Sequence, residues 1–433
     1  MKLLDWLLNN HTVGQTIAKN TFWLFSGQLM SRLLRAAIVI YAARILGAAS
    51  WGAFSYALGI AAFLTIFSDI GINALITKET IRNPQLKDRY LSTAFFTKIA
   101  ILTVFIVGVI LFFPYLTKIE ETAIIMPILI FVFAFDTLRD LGSAVSRALE
   151  KMQIEAGVQI FTNLAIVILG FMFLSLSKTS QALAFAYAAG SGLGLIAIFY
   201  TLHRHFRNLF KNFQFSLIKP IILTAWPFGL MGMMGVIMLN TDIIMLGWLR
   251  SPEEVGYYSA AQKIIQLLYV FPALIATSIF PIMARMAAQN AVFVKNTLEK
   301  AMALVILVAL PLTIVGIVFA PQIISLLFGS EYSPAVLAFR ILMATVLIVY
   351  PSTLIGNAIF AYDQQKSFIL FVLIAAFGNV VFNFLLIPKL GIEGAAISTV
   401  ITQLITNALI WRKMKKINNF SVWPVIQRIL KLK

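Results

Sequence analysis

Apolar residues fill this chain in long blocks broken by polar stretches of only a few residues. Within a block the side chains neither alternate with period two nor form one clean stripe at period 3.6. They are apolar nearly all round, the pattern of helices immersed in lipid rather than in water. A helix needs about 20 such residues to cross about 30 Å of hydrocarbon. The blocks predict twelve spans, at 17–45, 51–76, 91–115, 122–147, 154–175, 181–202, 218–246, 255–284, 298–320, 334–361, 367–388 and 393–412. Spans longer than about 25 residues imply tilt, kinks or protrusion beyond the hydrocarbon.

The remaining segments set the organisation. Residues 1–16 read as an interfacial amphipathic N-terminus, and 17–202 as a first lobe of six spans. Residues 203–217 form a basic connecting loop, 218–412 a second lobe of six spans, and 413–433 a basic amphipathic tail. That tail suits an anionic inner leaflet or, alternatively, a cytosolic partner. The first apolar run is long, carries two arginines and lacks a small-residue cleavage site, so it reads as a retained span rather than a signal peptide.

Composition agrees with a membrane-embedded, all-α chain. Of 433 residues 60% are hydrophobic and 12% charged, and mean hydropathy is +0.91, against about 25% charged in soluble domains. The net charge of +17 does not point to nucleic acid, because the charges sit in short breaks between apolar runs. Of the lysines and arginines, 23 fall at the termini or beside the even-numbered loops. Five (Arg44, Lys118, Lys178, Arg250, Lys389) fall beside the odd-numbered ones, and six lie inside spans. The positive-inside rule therefore predicts that both termini are cytoplasmic. The chain has no cysteine, so it has no disulfide or thiolate metal site, and its three histidines lie in polar segments. No catalytic centre, metal site or cofactor is predicted.

A repeat divides the chain. The turn LGAASWGAFSYA (46–57) returns as LGWLRSPEEVGYYSAA (246–261). Gly52-Ala53-Phe54-Ser55 is matched by Gly256-Tyr257-Tyr258-Ser259. With six spans before and after the midpoint, the halves enter the membrane in the same sense, as in parallel-repeat transporters.

The turn ARILGAASWGAFSYALGI (43–60), with SDIGINALITKE (68–79), resembles the polysaccharide-biosynthesis flippases of the multidrug/oligosaccharidyl-lipid/polysaccharide exporter superfamily. TDIIMLGWLRSPEEVGYYSAAQKI (241–264) and FNFLLIPKLGIEGAAISTVI (382–401) share the likeness, which covers essentially the whole chain. The resemblance implies a V-shaped pair of six-helix lobes around a central cavity with alternating access. It implies a cell-membrane flippase of the O-antigen type, carrying a polyprenyl-diphosphate-linked oligosaccharide from inner to outer leaflet for surface polysaccharide assembly. It also implies a monomeric transport unit, with glycan polymerases or glycosyltransferases as candidate partners.

The chemistry of such a cargo selects candidate residues. A diphosphate is best held by arginine, whose planar fork makes paired charge-assisted hydrogen bonds. Arginines inside a span are costly and mark function by default. Arg32 and Arg35, with Gln28 and Ser31, give span 1 a polar face. Lys263 and Gln266 on span 8 and Arg340 on span 10 are candidates for the second lobe, against pairing with Asp242 or reaching to the interface. Asp69, Asp242, Asp136, Arg139 and Asp140 are candidates for coupling-ion sites (proton or sodium) or for structural ion pairs. Lys98 reads as a side chain reaching to the inner interface. Pro227, Gly229, Gly232 and Gly235 on span 7 read as a hinge or as close packing.

Three other readings compete. A peptidoglycan-precursor (lipid II) flippase shares the chemistry but typically has fourteen spans. A cation-coupled multidrug antiporter on the same fold would want acidic, aromatic pockets rather than arginines. A membrane glycosyltransferase or polymerase needs large outer loops or converging carboxylates; here the loops are short, and Glu120-Glu121 and Glu253-Glu254 are adjacent and so do not converge on one helical face.

Overall fold

The computed structural model describes residues 13–69, 71–82, 85–287 and 289–430. Most of the predicted N-terminal interfacial segment lies outside the described residues. So do the side chains of Asp69, Pro227, Gly232 and Gly235.

Every regular element among the described residues is helical. The chain runs through α1 (Val13–Asp69), α2 (Ile72–Arg82), α3 (Lys87–Leu116), α4 (Glu120–Ala148), α5 (Met152–Leu176) and α6 (Ser180–Thr201). The short α7 (His203–Phe206) and α8 (Leu209–Asn212) lead into α9 (Ile218–Leu249), α10 (Pro252–Leu268) and α11 (Val270–Met286). Then come α12 (Ala291–Val318), α13 (Ala320–Phe328), α14 (Ala335–Ala361), α15 (Gln365–Asn418) and α16 (Trp423–Ile429). Nine helices among the described residues are long and apolar enough to cross a membrane.

Two of these helices are far too long for one crossing. At 1.5 Å per residue, the 57 residues of α1 and 54 of α15 would each extend about 80 Å or more. Each is broken at one residue out of helical conformation, Gly47 (φ 73°) in α1 and Gly391 (φ 60°) in α15. Both are glycines because a Cβ disfavours positive φ.

Contacts divide the chain into two compact units, residues 1–240 and 241–433. In the first, α1 packs on α4 and α5, and α6 packs on both of those helices. The α5–α6 contact is so close that a Cβ on Gly190 would lie 2.9 Å from the backbone nitrogen of Ile166, the small-residue approach that membrane helices favour. One end of the unit is a cluster of buried Ile72, Leu75, Ile76, Leu91, Leu141, Val145 and Ile198. The connecting segment is structured and packs on α3. Ser92 Oγ donates to Leu209 O, Gln214 N donates to Thr93 Oγ1 at 3.1 Å, and Phe96 lies against Phe210 and Phe213.

In the second unit α14 is central, packed by α10, α11, α12, α13 and α15. Span 8, predicted as one element, is broken at Tyr269 into α10 and α11. The break is stabilised from α14: Tyr350 Oη donates to Leu268 O at 3.0 Å, and Tyr269 Oη meets Thr345 Oγ1 at 2.5 Å. The stretch between spans 9 and 10 contains the separate apolar helix α13.

Lys98 corrects the sequence reading. It does not reach the interface but is fully buried, with Nζ 2.8 Å from Asn73 Oδ1 and 3.5 Å from the carbonyl of Thr137. A buried ammonium needs such acceptors to offset its lost hydration.

Candidate functional site

The most developed polar constellation lies within the second unit, around Asp242. This residue sits on α9 and is 2% exposed. Its Oδ1 accepts from Asn383 Nδ2 at 2.7 Å and Asn379 Nδ2 at 3.1 Å. Its Oδ2 accepts from Tyr258 Oη at 2.5 Å and Thr399 Oγ1 at 2.7 Å. Asn379 and Asn383 stand four apart on the first part of α15, and so share a face. Thr399 comes from the same helix beyond the break at Gly391. Tyr258 is one of the largest fully buried side chains.

The carboxylate is satisfied entirely by neutral donors. Four hydrogen bonds fill its lone-pair positions, yet no lysine or arginine pairs with it among the described residues. A buried negative charge without a counter-charge is costly. Beside it, Asn383 Oδ1 is buried with no hydrogen-bond partner. The side chains offer one carboxylate, two amides and two hydroxyls, all hard oxygen donors of the kind that bind hard cations. The set carries one formal charge, so a cation held there would be monovalent rather than divalent and would take the place of hydrogen bonds that now fill the carboxylate.

One end of the site is clasped by the turn between α9 and α10. Ser251 caps α10 by accepting from Glu254 N, and Pro252 occupies its first turn. Arg250 Nε donates to Ile387 O at 3.0 Å and its Nη2 donates to Pro388 O at 3.2 Å, with Glu254 Oε2 3.7 Å away. These are carbonyls that the helix break near Gly391 leaves free. Three of the helical segments that build the Asp242 site, α9, α10 and the first part of α15, are thus joined beyond it by one guanidinium.

The cationic candidates are distributed differently. On α1, Gln28, Arg32 and Arg35 are all exposed and lie four and three residues apart, forming one face. Ser31 is buried and does not belong to it. Arg35 Nε donates to Asn163 Oδ1 of α5 at 3.2 Å, and Asn163 Nδ2 is itself held by Gln159 O at 2.8 Å. In the second unit Lys263 and Gln266 are half-buried on α10, and Arg340 Nε donates to Ile317 O of α12 at 3.1 Å. Asp136, Arg139 and Asp140 are brought together, with Arg139 2.6 Å from Asp136 and 3.3 Å from Asp140. Gly229 lies within the helical run of α9.

Sequence reading named Asp242 but missed Asn379, Asn383, Tyr258 and Thr399 as its partners. The available signal was a pair of asparagines at helical spacing inside an otherwise apolar run, FGNVVFN (377–383).

The family model described as polysaccharide biosynthesis protein matches residues 17–287, more than half of the chain. The chain belongs to this family. A second model, described as MatE, matches residues 227–388, which include Asp242, Tyr258, Asn379 and Asn383. This polysaccharide biosynthesis protein is 21% identical over 408 residues to a protein of Haloferax volcanii named "Probable low-salt glycan biosynthesis flippase Agl15", covering 91% of this chain and 82% of that one. It is 21% identical to the "Capsular polysaccharide biosynthesis protein CapF" of Staphylococcus aureus, over 90% of this chain and 97% of that protein. Its fold is that of the "Lipid II flippase MurJ, inward closed conformation", with a TM-score of 0.78 at 17% identity, covering 90% of this chain and 87% of that one. The polysaccharide biosynthesis protein is thus an all-helical, multi-pass membrane protein.

Proposed function

We infer that this protein is a flippase that moves a polyprenyl-diphosphate-linked oligosaccharide from the inner to the outer leaflet of a cell membrane by alternating access, without catalysing a chemical reaction. The observation that carries this reading is the Gln28–Arg32–Arg35 face of α1, two outward guanidiniums in an apolar helix of a polysaccharide biosynthesis protein. Guanidinium forks suit a diphosphate, and Gln28 adds amide groups suited to sugar hydroxyls. Lys263, Gln266 and Arg340 are the second unit's own candidates for an anionic, sugar-bearing cargo.

The chain has twelve spans, a count that takes α1 and α15 twice at their glycine breaks, α10 and α11 together as one, and adds α9 to the helices long enough to cross. Both termini face the cytoplasm, supported by the 23 to 5 distribution of basic residues. Asp242 is the coupling-cation site, occupied by a monovalent alkali ion, supported by its neutral shell of oxygen-bearing donors.

The test is leaflet exchange of a fluorescent polyprenyl-diphosphate oligosaccharide in proteoliposomes. The wild type should exchange it, and Arg32→Ala combined with Lys263→Ala should not. Exchange of a cationic dye but never of the lipid would replace this reading with the cation-coupled antiporter, which the MatE match over 227–388 favours as the second reading.

A further inference from the structure

The chain after the last apolar span is built against the membrane protein itself. Helix α15 ends at Asn418, and Asn419 turns the backbone with φ 48°. Phe420 is buried with its ring centroid 5.0 Å from that of Trp411. Ser421 N donates to Glu299 Oε1 on α12 at 2.7 Å, and Glu299 is only 8% exposed. Val422 and Ile426 are buried. A helix of seven residues has no independent stability, so these contacts are what hold α16 in place.

On either side of buried Val422 and Ile426, α16 leaves apolar side chains uncovered, and the face opposite them carries Pro424 and Arg428. Trp423 is 63% exposed, Ile429 51% and Leu430 49%. Lys300 on α12, Arg412, Lys415 and Lys416 on α15, the two helices that α16 is held against, and Arg428 on α16 itself are exposed. No carboxylate occurs in the chain after Glu393, and Glu299 is occupied with the Ser421 amide and, at 3.9 Å, with Lys295. Exposed apolar side chains with a tryptophan, on a part of the chain that carries basic residues and no Asp or Glu, match the boundary of an anionic leaflet: acyl chains for the first and headgroup phosphates for the second.

We propose that α16 and the basic end of α15 form a binding site for anionic phospholipid, held in position by the Glu299–Ser421 hydrogen bond. Trp423, Ile429 and Leu430 enter the acyl boundary, while Lys415, Lys416 and Arg428 contact the headgroups. The site rests on the reading that this end of the protein lies at a membrane surface. It does not depend on the cargo.

The absence of cysteine gives a direct test. Gln427→Cys, on the face shared by Trp423 and Leu430, supplies a single thiol for an environment-sensitive fluorophore. The full-length labelled protein is placed in nanodiscs of phosphatidylcholine, or of phosphatidylcholine with about a third phosphatidylglycerol. Nanodiscs leave both faces accessible and contain no glycolipid, so the result is independent of sidedness and transport. The expected result is a blue shift and an intensity gain of about twofold or more in the anionic discs. The gain should be lost in Lys415→Glu/Lys416→Glu, with elution and melting of the variant unchanged. Identical spectra in the two lipids, or a shift that survives charge reversal, would overturn the proposal. Identical spectra that change on adding cytosolic extract would overturn it in favour of a protein partner.

Discussion

Tyr258 donates its phenolic hydrogen to Asp242 at 2.5 Å, whereas the residue matching it in the first half of the repeat, Phe54, has no hydroxyl to give. The matching position for Asp242, counted back from the shared Leu-Gly of the turn, is Ala42. Both Phe54 and Ala42 are fully buried. Both halves bury the matched aromatic, but only the second sets a carboxylate against it, and the shared Leu-Gly is a corner at Gly47 and helix interior at Gly247. The first half carries its own polar signature elsewhere, in the exposed arginines of α1.

If Asp242 holds the coupling cation, Asp242→Asn should abolish the cation dependence of transport while leaving the protein folded. A bound ion at ten times its dissociation constant stabilises the wild type by about 1.4 kcal/mol. Melting should rise with sodium or lithium but not with choline in the wild type, and show no such rise in the variant. Equal salt responses in both proteins would remove the assignment.

If Arg35 binds the cargo, Asn163 acts by positioning its guanidinium through their 3.2 Å hydrogen bond. Asn163→Ala removes the acceptor and leaves the guanidinium in place. A charged hydrogen bond contributes about 1.5 kcal/mol or more, so apparent cargo affinity should fall about tenfold. Arg32→Lys should keep part of the transport that Arg32→Ala loses, because it retains charge without the fork. Cargo titrations of exchange rate separate these effects from a loss of folded protein.

Arg250 satisfies two carbonyls at the break in α15. Arg250→Ala should lower stability by about 1–3 kcal/mol, read as a fall in melting temperature, and weaken the cation response because the same helical segments carry Asp242. Arg250→Lys should recover part of both. An alanine variant with wild-type melting and cation response would show that the clasp is dispensable.

His205, in the connecting segment, has its pKa lowered by burial and by the nearby charges of Lys87 and Lys151, against a smaller opposing effect of Asp88. The folded state thus favours neutral His205. Its contribution is present above the ordinary histidine pKa of about 6.5 and is lost as pH falls through the lowered value. Melting should decline on acidification over that interval. His205→Gln should flatten that part of the profile, and an unaltered profile would exclude the histidine as its source.

Much of the fold is legible because lipid imposes it: a chain that must bury its backbone groups in hydrocarbon shows its spans as apolar runs. The even-loop basic residues and the repeat around Gly52 and Gly256 are equally visible. What stays hidden is contact between distant residues. Lys98 looks like a lone cation at a span end because its acceptors, Asn73 and the carbonyl of Thr137, belong to other helices. Asn379 and Asn383 show their spacing but not their carboxylate, 137 and 141 residues away. The break at Tyr269 is half visible: Pro272 has no N–H for the carbonyl of Leu268 four residues back, but the hydroxyls that arrive from α14 to stabilise the opened turn are not.

The single-residue corners at Gly47 and Gly391 also govern which length changes this chain can accept. One residue inserted in a helix turns everything beyond it by about 100°. After Gly47 it would carry Trp51, Phe54 and Tyr56 out of the core they fill, and after Gly391 it would carry Thr399 away from Asp242. The connections around residues 117–119 and 177–179 are non-helical and can absorb an added residue without rotating a span. Epitope tags and reporter insertions belong at those two connections, while the two glycine corners act as fixed counting marks for the chain.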